Sequence, residues 1–168
     1  MINVAIVGAT GVVGEMFLKV LEEKKLNIDN YVLLASSRSK GKRVKFMKKA
    51  YVVEELTEHS FDNNRFQYAL FSAGASTAEK YAKIAAQNGC IVIDNSSCFR
   101  MDKSVPLVVP QVNMEDAYEH FNIISNPNCS TIQAVVPLKV LDDKYKLKRV
   151  IYSTYQAVSG AGKKGIDD

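Results

Sequence analysis

Five short runs decide what this chain can fold into. "INVAIVG", "YVLLAS", "QYALFSAG", "CIVIDNSS" and "NIISNPN" each hold apolar residues at consecutive positions, so each needs cover on both faces. A strand with one wet face would alternate apolar and polar residues instead. Between the runs lie stretches with helical spacing. Segment 15–25 puts Phe17, Leu18 and Leu21 on one face. Segment 76–89 opens on Ser76 or Thr77 as cap, carries Glu79 in its first turn and stops at Gly89. Strands alternating with helices predict an α/β fold, a doubly wound Rossmann-type sheet with helices on both faces. Less regular pieces complete the pattern. "RVKFMKKAYVVEEL" reads as one or two half-exposed strands, "VPLVVPQVN" as a proline-bounded extended piece and "NMEDAYEHF" as a short helix. "STIQAVVPLKVLDDKY" reads as a helix kinked by Pro137, and "RVIYSTYQAVSGAGKKG" as a strand entering a glycine-rich stretch.

The 168 residues, 47% hydrophobic, allow one full domain with an addition. We place the first domain at 1–125 and read 126–168 as the start of a second, α+β domain. A net charge of +4 is too mild for a nucleic-acid arm, and the densest basic run, "KGKRVKFMKK", reads as a solvated hairpin. No apolar run approaches the ~20 residues that span a bilayer, and no leader precedes the first strand. Cys90, Cys98 and Cys129 are odd in number and widely spaced, without metal-ligand spacing. They fit a reducing compartment, and we expect a cytoplasmic protein with no metal, nucleic-acid or membrane partner.

The chemistry starts at "GATGVVGE", which follows the first strand and opens the first helix. Gly8 permits a sharp turn, Gly11 a close backbone approach to a pyrophosphate, and Gly14 close helix–strand packing. The helix N-terminus supplies free amides and a positive dipole for the anion. A tight turn without a ligand would use the same residues. In a dinucleotide site, an acidic residue ending the second strand holds the ribose 2′-hydroxyl of NAD. Here that place reads "ASSRSKGK", with hydroxyls and Arg38 but no carboxylate, which suits the 2′-phosphate of NADP.

"ISNPNCSTIQ" holds the second candidate. Asn126 or Asn128 can cap the helix that follows, which puts Cys129 at its N-terminus, where dipole and amides favour a thiolate. A thiolate beside a nicotinamide cofactor suggests aldehyde or acyl chemistry, with hydride moving to or from a sulfur-bound carbon. The other reading of Cys129 is a small buried filler. Cys90 opens an apolar strand and reads as core, while Cys98 lies in a polar loop with no helix behind it.

With these pieces in place, the chain resembles the N-terminal part of the aspartate-semialdehyde dehydrogenase family. "VAIVGATGVVGEMFLKVLEE", "LLASSRSKGK", "DNSSCFRMD", "SNPNCST" and "STYQAVSGAGKKG" carry the resemblance almost end to end. It implies reduction of aspartyl 4-phosphate to aspartate 4-semialdehyde with NADPH, a step toward lysine, methionine and threonine. It also implies the roles of single residues. Cys129 forms the acyl-thioester, Arg100 binds the phosphate, and Gln156 holds the substrate acyl group. Thr10, Gly11, Val12 and Val13 form the phosphate loop; Arg38 and Ser39 meet the 2′-phosphate; Ser159 and Gly160 border the cofactor. His59 and His120 match no acid/base position and read as surface residues.

The family's chain is longer. Its acid/base histidine, its carboxylate-binding arginine and a helix returning over the cofactor domain come from the later part, as does most of the homodimer contact. The resemblance thus implies that this chain alone is an incomplete, inactive fragment. Two other readings stay open. N-acetyl-γ-glutamyl-phosphate reductase runs the same chemistry, with a cysteine motif nearer N-P-G-C-Y-P-T than the "NPNCSTI" found here. A non-catalytic NADP-binding module is the other.

Overall fold

The computed structural model describes residues 1–155. Six parallel strands form the main sheet: β1 (Asn3–Val7), β2 (Asn30–Ala35), β5 (Glu54–Glu55), β6 (Tyr68–Phe71), β7 (Ile91–Asp94) and β8 (Ile123–Ser125). Their order is β5-β2-β1-β6-β7-β8, with every neighbouring pair parallel. The chain leaves β1 in one direction to β2 and later returns on its other side as β6. That reversal opens a crevice at the carboxyl ends of β1 and β6, where open α/β sheets bind ligands. The doubly wound expectation holds.

Strand alternation splits the core in two. Ala5, Val7, Val32, Leu34, Ala69, Phe71 and Val92 face α2 (Ala75–Gln87), which presses its small residues Ala78, Ala82 and Ala85 onto them. Val4, Ile6, Leu33 and Ala35 face the other way, toward Leu18 and Leu21 of α1 (Val12–Lys24). A hairpin of β3 (Arg43–Phe46) and β4 (Lys49–Val52) plugs that side with Phe46, which is 1% exposed. Met47 and Lys48 turn it with φ of 51° and 61°, the left-handed pair of a two-residue hairpin turn. The expected basic hairpin is therefore real. Past α1, no helix among the described residues covers the same sheet face, where Ile2, Tyr68, Leu70 and Ile93 border an apolar cleft of 310 Å³.

Three elements differ from expectation. Helix α2 is capped by Gly74, with φ +87°, rather than by Ser76 or Thr77, because the helix already starts at Ala75. Pro110 opens the short α3 (Pro110–Asn113) and a 3₁₀ turn, Met114–Glu119, follows it, so the extended piece stops at Val109 and the expected helix is split. Proline suits the first helical position, where no N–H is needed. The stretch 146–155 forms no strand among the described residues: its backbone would need a neighbouring strand, and none is described there. Pro137 sits within α4 (Cys129–Tyr145), which runs unbroken past it.

Candidate functional site

Every strand-end loop named above opens on one edge of the sheet. At β1, Gly8 turns with φ +84°, and a Cβ there would lie 2.9 Å from the Ala73 nitrogen of the β6 loop. A Cβ on Gly14 would collide with the Gly8 carbonyl oxygen, so α1 can press on the loop only as glycine. Gly11 precedes α1 and no side chain caps the helix, which leaves its first-turn amides for an incoming anion. Val12 and Val13 are exposed at 48% and 41%, apolar surface lying open beside those amides.

The crevice is a cleft of 470 Å³ floored by Gly8, Thr10 and Gly11. Ala35 and Ser36 close one side, Ser72 and Ala73 the other, and Leu56, Thr77 and Tyr81 form its outer wall. Sequence reasoning missed Ser72, Ala73, Thr77, Tyr81 and Leu56. The small-residue ending of "ALFSAG" was the signal for the first two, since only small residues let β6 end so close to Gly8. Nothing in the sequence pointed to Leu56, which arrives through the short strand β5.

The second loop is tied to the first. Ser39 is 7% exposed, and its hydroxyl shares a 3.1 Å hydrogen bond with that of Thr10, tying this loop to the phosphate loop. Arg38 stays exposed on the 3₁₀ turn Ser37–Ser39. A carboxylate does reach this end of the sheet: Glu55 of β5, spent on Lys40 at 3.2 Å.

The third cluster joins β7 to β8. Asn128 is the N-cap of α4, accepting from the Ser130 amide at 2.9 Å, and Cys129 is the first helical residue, exposed. Between the two possible caps, the structure selects Asn128. Arg100 reaches across from the loop after β7. Its Nε donates to the Asn126 carbonyl and its Nη2 to the Asn95 carbonyl, both at 3.0 Å. Among the described residues no carboxylate pairs with Arg100 or Arg38. The Arg100 charge is thus fixed in place without being neutralised, an arrangement suited to an anion.

The three cysteines separate by environment. Cys90 is 1% exposed, and burial pushes its thiol up to about 12. Cys98 is half-buried; burial first, then the carboxylates of Asp94 and Glu79, raise it too. Both are held as thiols at neutral pH. Of the three, Cys129 alone stands exposed. Neither histidine serves this cluster. His59 is exposed on Asp62 at 3.0 Å, and His120 accepts from the Asn122 amide at the opposite end of β8 from Cys129. Gln156, Ser159 and Gly160 lie outside the described residues.

Comparison with known proteins agrees with this geometry. Residues 3–120 match the family described as semialdehyde dehydrogenase, NAD binding domain. The chain is 55% identical over 168 residues to the aspartate-semialdehyde dehydrogenase of Campylobacter jejuni, covering 99% of this chain and 49% of that protein. Among solved structures, it is similar to aspartate semialdehyde dehydrogenase II of Vibrio cholerae complexed with ASA, with a TM-score of 0.94 and 50% identity, over 99% of this chain and 50% of that one. It is also similar to aspartate semialdehyde dehydrogenase with NADP from Candida albicans, with a TM-score of 0.73 and 28% identity, over 88% and 48% of the two chains. The chain spans about half the length of the curated relatives it matches.

Proposed function

The chain belongs to the semialdehyde dehydrogenase family, and from that premise we propose that it forms the cofactor-binding and nucleophile-bearing part of an aspartate-semialdehyde dehydrogenase. One observation carries the reading: an exposed Cys129 and an anchored, unneutralised Arg100 share the sheet edge that holds the dinucleotide cleft. Cys129 Sγ attacks the acyl carbon of aspartyl 4-phosphate, forming the C–S bond of a thioester as the C–O bond to phosphate breaks. Arg100 takes the departing phosphate on the N–H groups that it does not spend on carbonyls. Bound NADPH supplies a hydride. Cys129 then leaves the reduced carbon as thiolate, releasing the semialdehyde once a proton has moved. In the described residues neither histidine is placed to handle that proton, and the family resemblance assigns it to the later part of the chain.

The cradle fits the cofactor. Uncapped amides of α1 face the pyrophosphate position, and Gly14 keeps the loop close to them. Thr10, Gly11, Val12 and Val13 form its phosphate loop. Arg38 supplies the charge for a 2′-phosphate, while Ser39 holds Thr10 in register. Glu55, engaged by Lys40, is not left to repel that phosphate.

We extend the proposal to organisation. The cofactor domain covers 1–125 and the catalytic domain begins at Asn126; helix α4 buries no residue among those described, as expected of an element that packs elsewhere. Gln156, Ser159 and Gly160 complete the acyl and cofactor contacts. The later part of the chain brings a helix to the bare face at Tyr68 and Ile93, and the enzyme works as a cytoplasmic homodimer.

The test is a steady-state assay of the complete protein with aspartate semialdehyde, NADP and phosphate, run beside N-acetylglutamate semialdehyde. Turnover of about one per second or more on the first and none on the second is the expected result. The reverse preference would assign the rival reductase. Residues 1–168 alone should bind NADPH and turn nothing over; full turnover by that chain would refute the division of the site.

A further inference from the structure

We propose that Asn126 is a positioning residue that fixes Arg100 relative to Cys129. Asn126 leaves β8 three residues before the thiol. Three of its polar groups are used in one place. Its backbone amide donates to the Asp94 carbonyl at 2.8 Å, its carbonyl accepts from Arg100 Nε at 3.0 Å, and its Nδ2 donates to Asn95 Oδ1 at 2.6 Å. Asn95 closes the ring, because its carbonyl accepts from Arg100 Nη2 at 3.0 Å and its amide donates to Phe71 at the end of β6.

The ring Arg100–Asn126–Asn95 joins residues 26, 31 and 5 positions apart in sequence. Two of the five guanidinium N–H groups are consumed by carbonyls on adjacent strand ends, so the plane of the guanidinium is set by the sheet itself. Pro127, with its fixed φ, and the Asn128 cap leave little freedom between Asn126 and Cys129. A displacement at Asn126 therefore shifts the phosphate-binding group against the thiol, and small misplacements of reacting groups are costly. The Asn95–Asn126 bond is the side-chain link that holds the two carbonyls at the spacing Arg100 requires.

This rests on the reading of Cys129 as nucleophile and Arg100 as phosphate binder, and the experiment separates the two. In the complete protein, assayed toward acyl phosphate with aspartate semialdehyde, NADP and inorganic phosphate, Asn126→Ala should raise the KM for phosphate about tenfold. The KM for NADP and the melting temperature should stay at wild-type values. Asn95→Ala deletes the same bond from the other side and should give the same phenotype. The double variant should be no worse than the weaker single one, because one bond is lost in all three. Should Asn126→Ala not fold, Asn95→Ala carries the test. An unchanged phosphate KM, additive losses, or phosphate and NADP constants rising together would overturn the positioning role. A Cys129→Ala enzyme that keeps turnover would instead break the reading beneath it, and is read independently of the phosphate KM.

Discussion

Two strand-to-helix turns lie at the carboxyl end of this sheet, and they are built on opposite plans. The turn from β1 into α1 is closed on itself: Gly14, Leu18 and Leu21 are buried against the strands, each leucine contributing about 1.5–3 kcal/mol. The turn from β8 into α4 carries an N-cap and a thiol, yet none of the seventeen helical residues is buried, and Val140 and Tyr145 are 67% and 64% exposed. A helix of that length is marginal in water unless it packs. The first turn is packed by the described residues; the second is not. A cofactor site can be complete where a catalytic site is not, because the amides that hold a pyrophosphate belong to the backbone of one turn.

The largest expected effect separates the two turns outright. Cys129→Ala in the complete protein should cost about 10³-fold or more in turnover and leave NADPH affinity unchanged by calorimetry. A parallel loss of cofactor affinity would mean that the turns are one site rather than two. Hydrogen exchange on residues 1–168 should sharpen the contrast next. The amides of α2 and of the central strands should exchange only by global opening, and those of α4 orders of magnitude faster. Protection of α4 equal to that of α2 would show that it already has its packing.

Gly14→Ala attacks the closed turn. The added methyl meets the Gly8 carbonyl, so α1 must shift, at a cost of roughly 1–3 kcal/mol in stability. NADPH binding should weaken with it, while iodoacetamide should still label Cys129 ahead of Cys98 and Cys90. The smallest effect concerns cofactor choice. Arg38→Ala should shrink the preference for NADPH over NADH by about 1–3 kcal/mol, the size of a charge-assisted bond. Equal affinities in the parent protein would remove the 2′-phosphate assignment.

The same contrast explains what could be read without coordinates. The sheet was legible because strands apolar on both faces admit few arrangements, and the glycine loop because Gly8 and Gly14 answer to backbone geometry that no other residue satisfies. Cys129 was legible as a helix-start residue, since Asn128 is a strong cap. The ring around Arg100 was not. It is made by backbone carbonyls of Asn95 and Asn126, which every residue possesses, so no side-chain pattern announces it. The bond between Ser39 and Thr10 was not legible either, because nothing local pairs two hydroxyls 29 positions apart. The stretch 149–155 has strand composition and no strand, because pairing is a property of the neighbour as much as of the sequence.

The central claim is that Cys129 carries the acyl group. It is tested most directly by incubating the complete protein with aspartate semialdehyde and NADP in the absence of phosphate, then mapping adducts by peptide mass spectrometry. An aspartyl thioester on Cys129, formed with stoichiometric NADPH and discharged when phosphate is added, is the predicted result. Steady NADPH formation with Cys129 unmodified, or an adduct on Cys98, would contradict it.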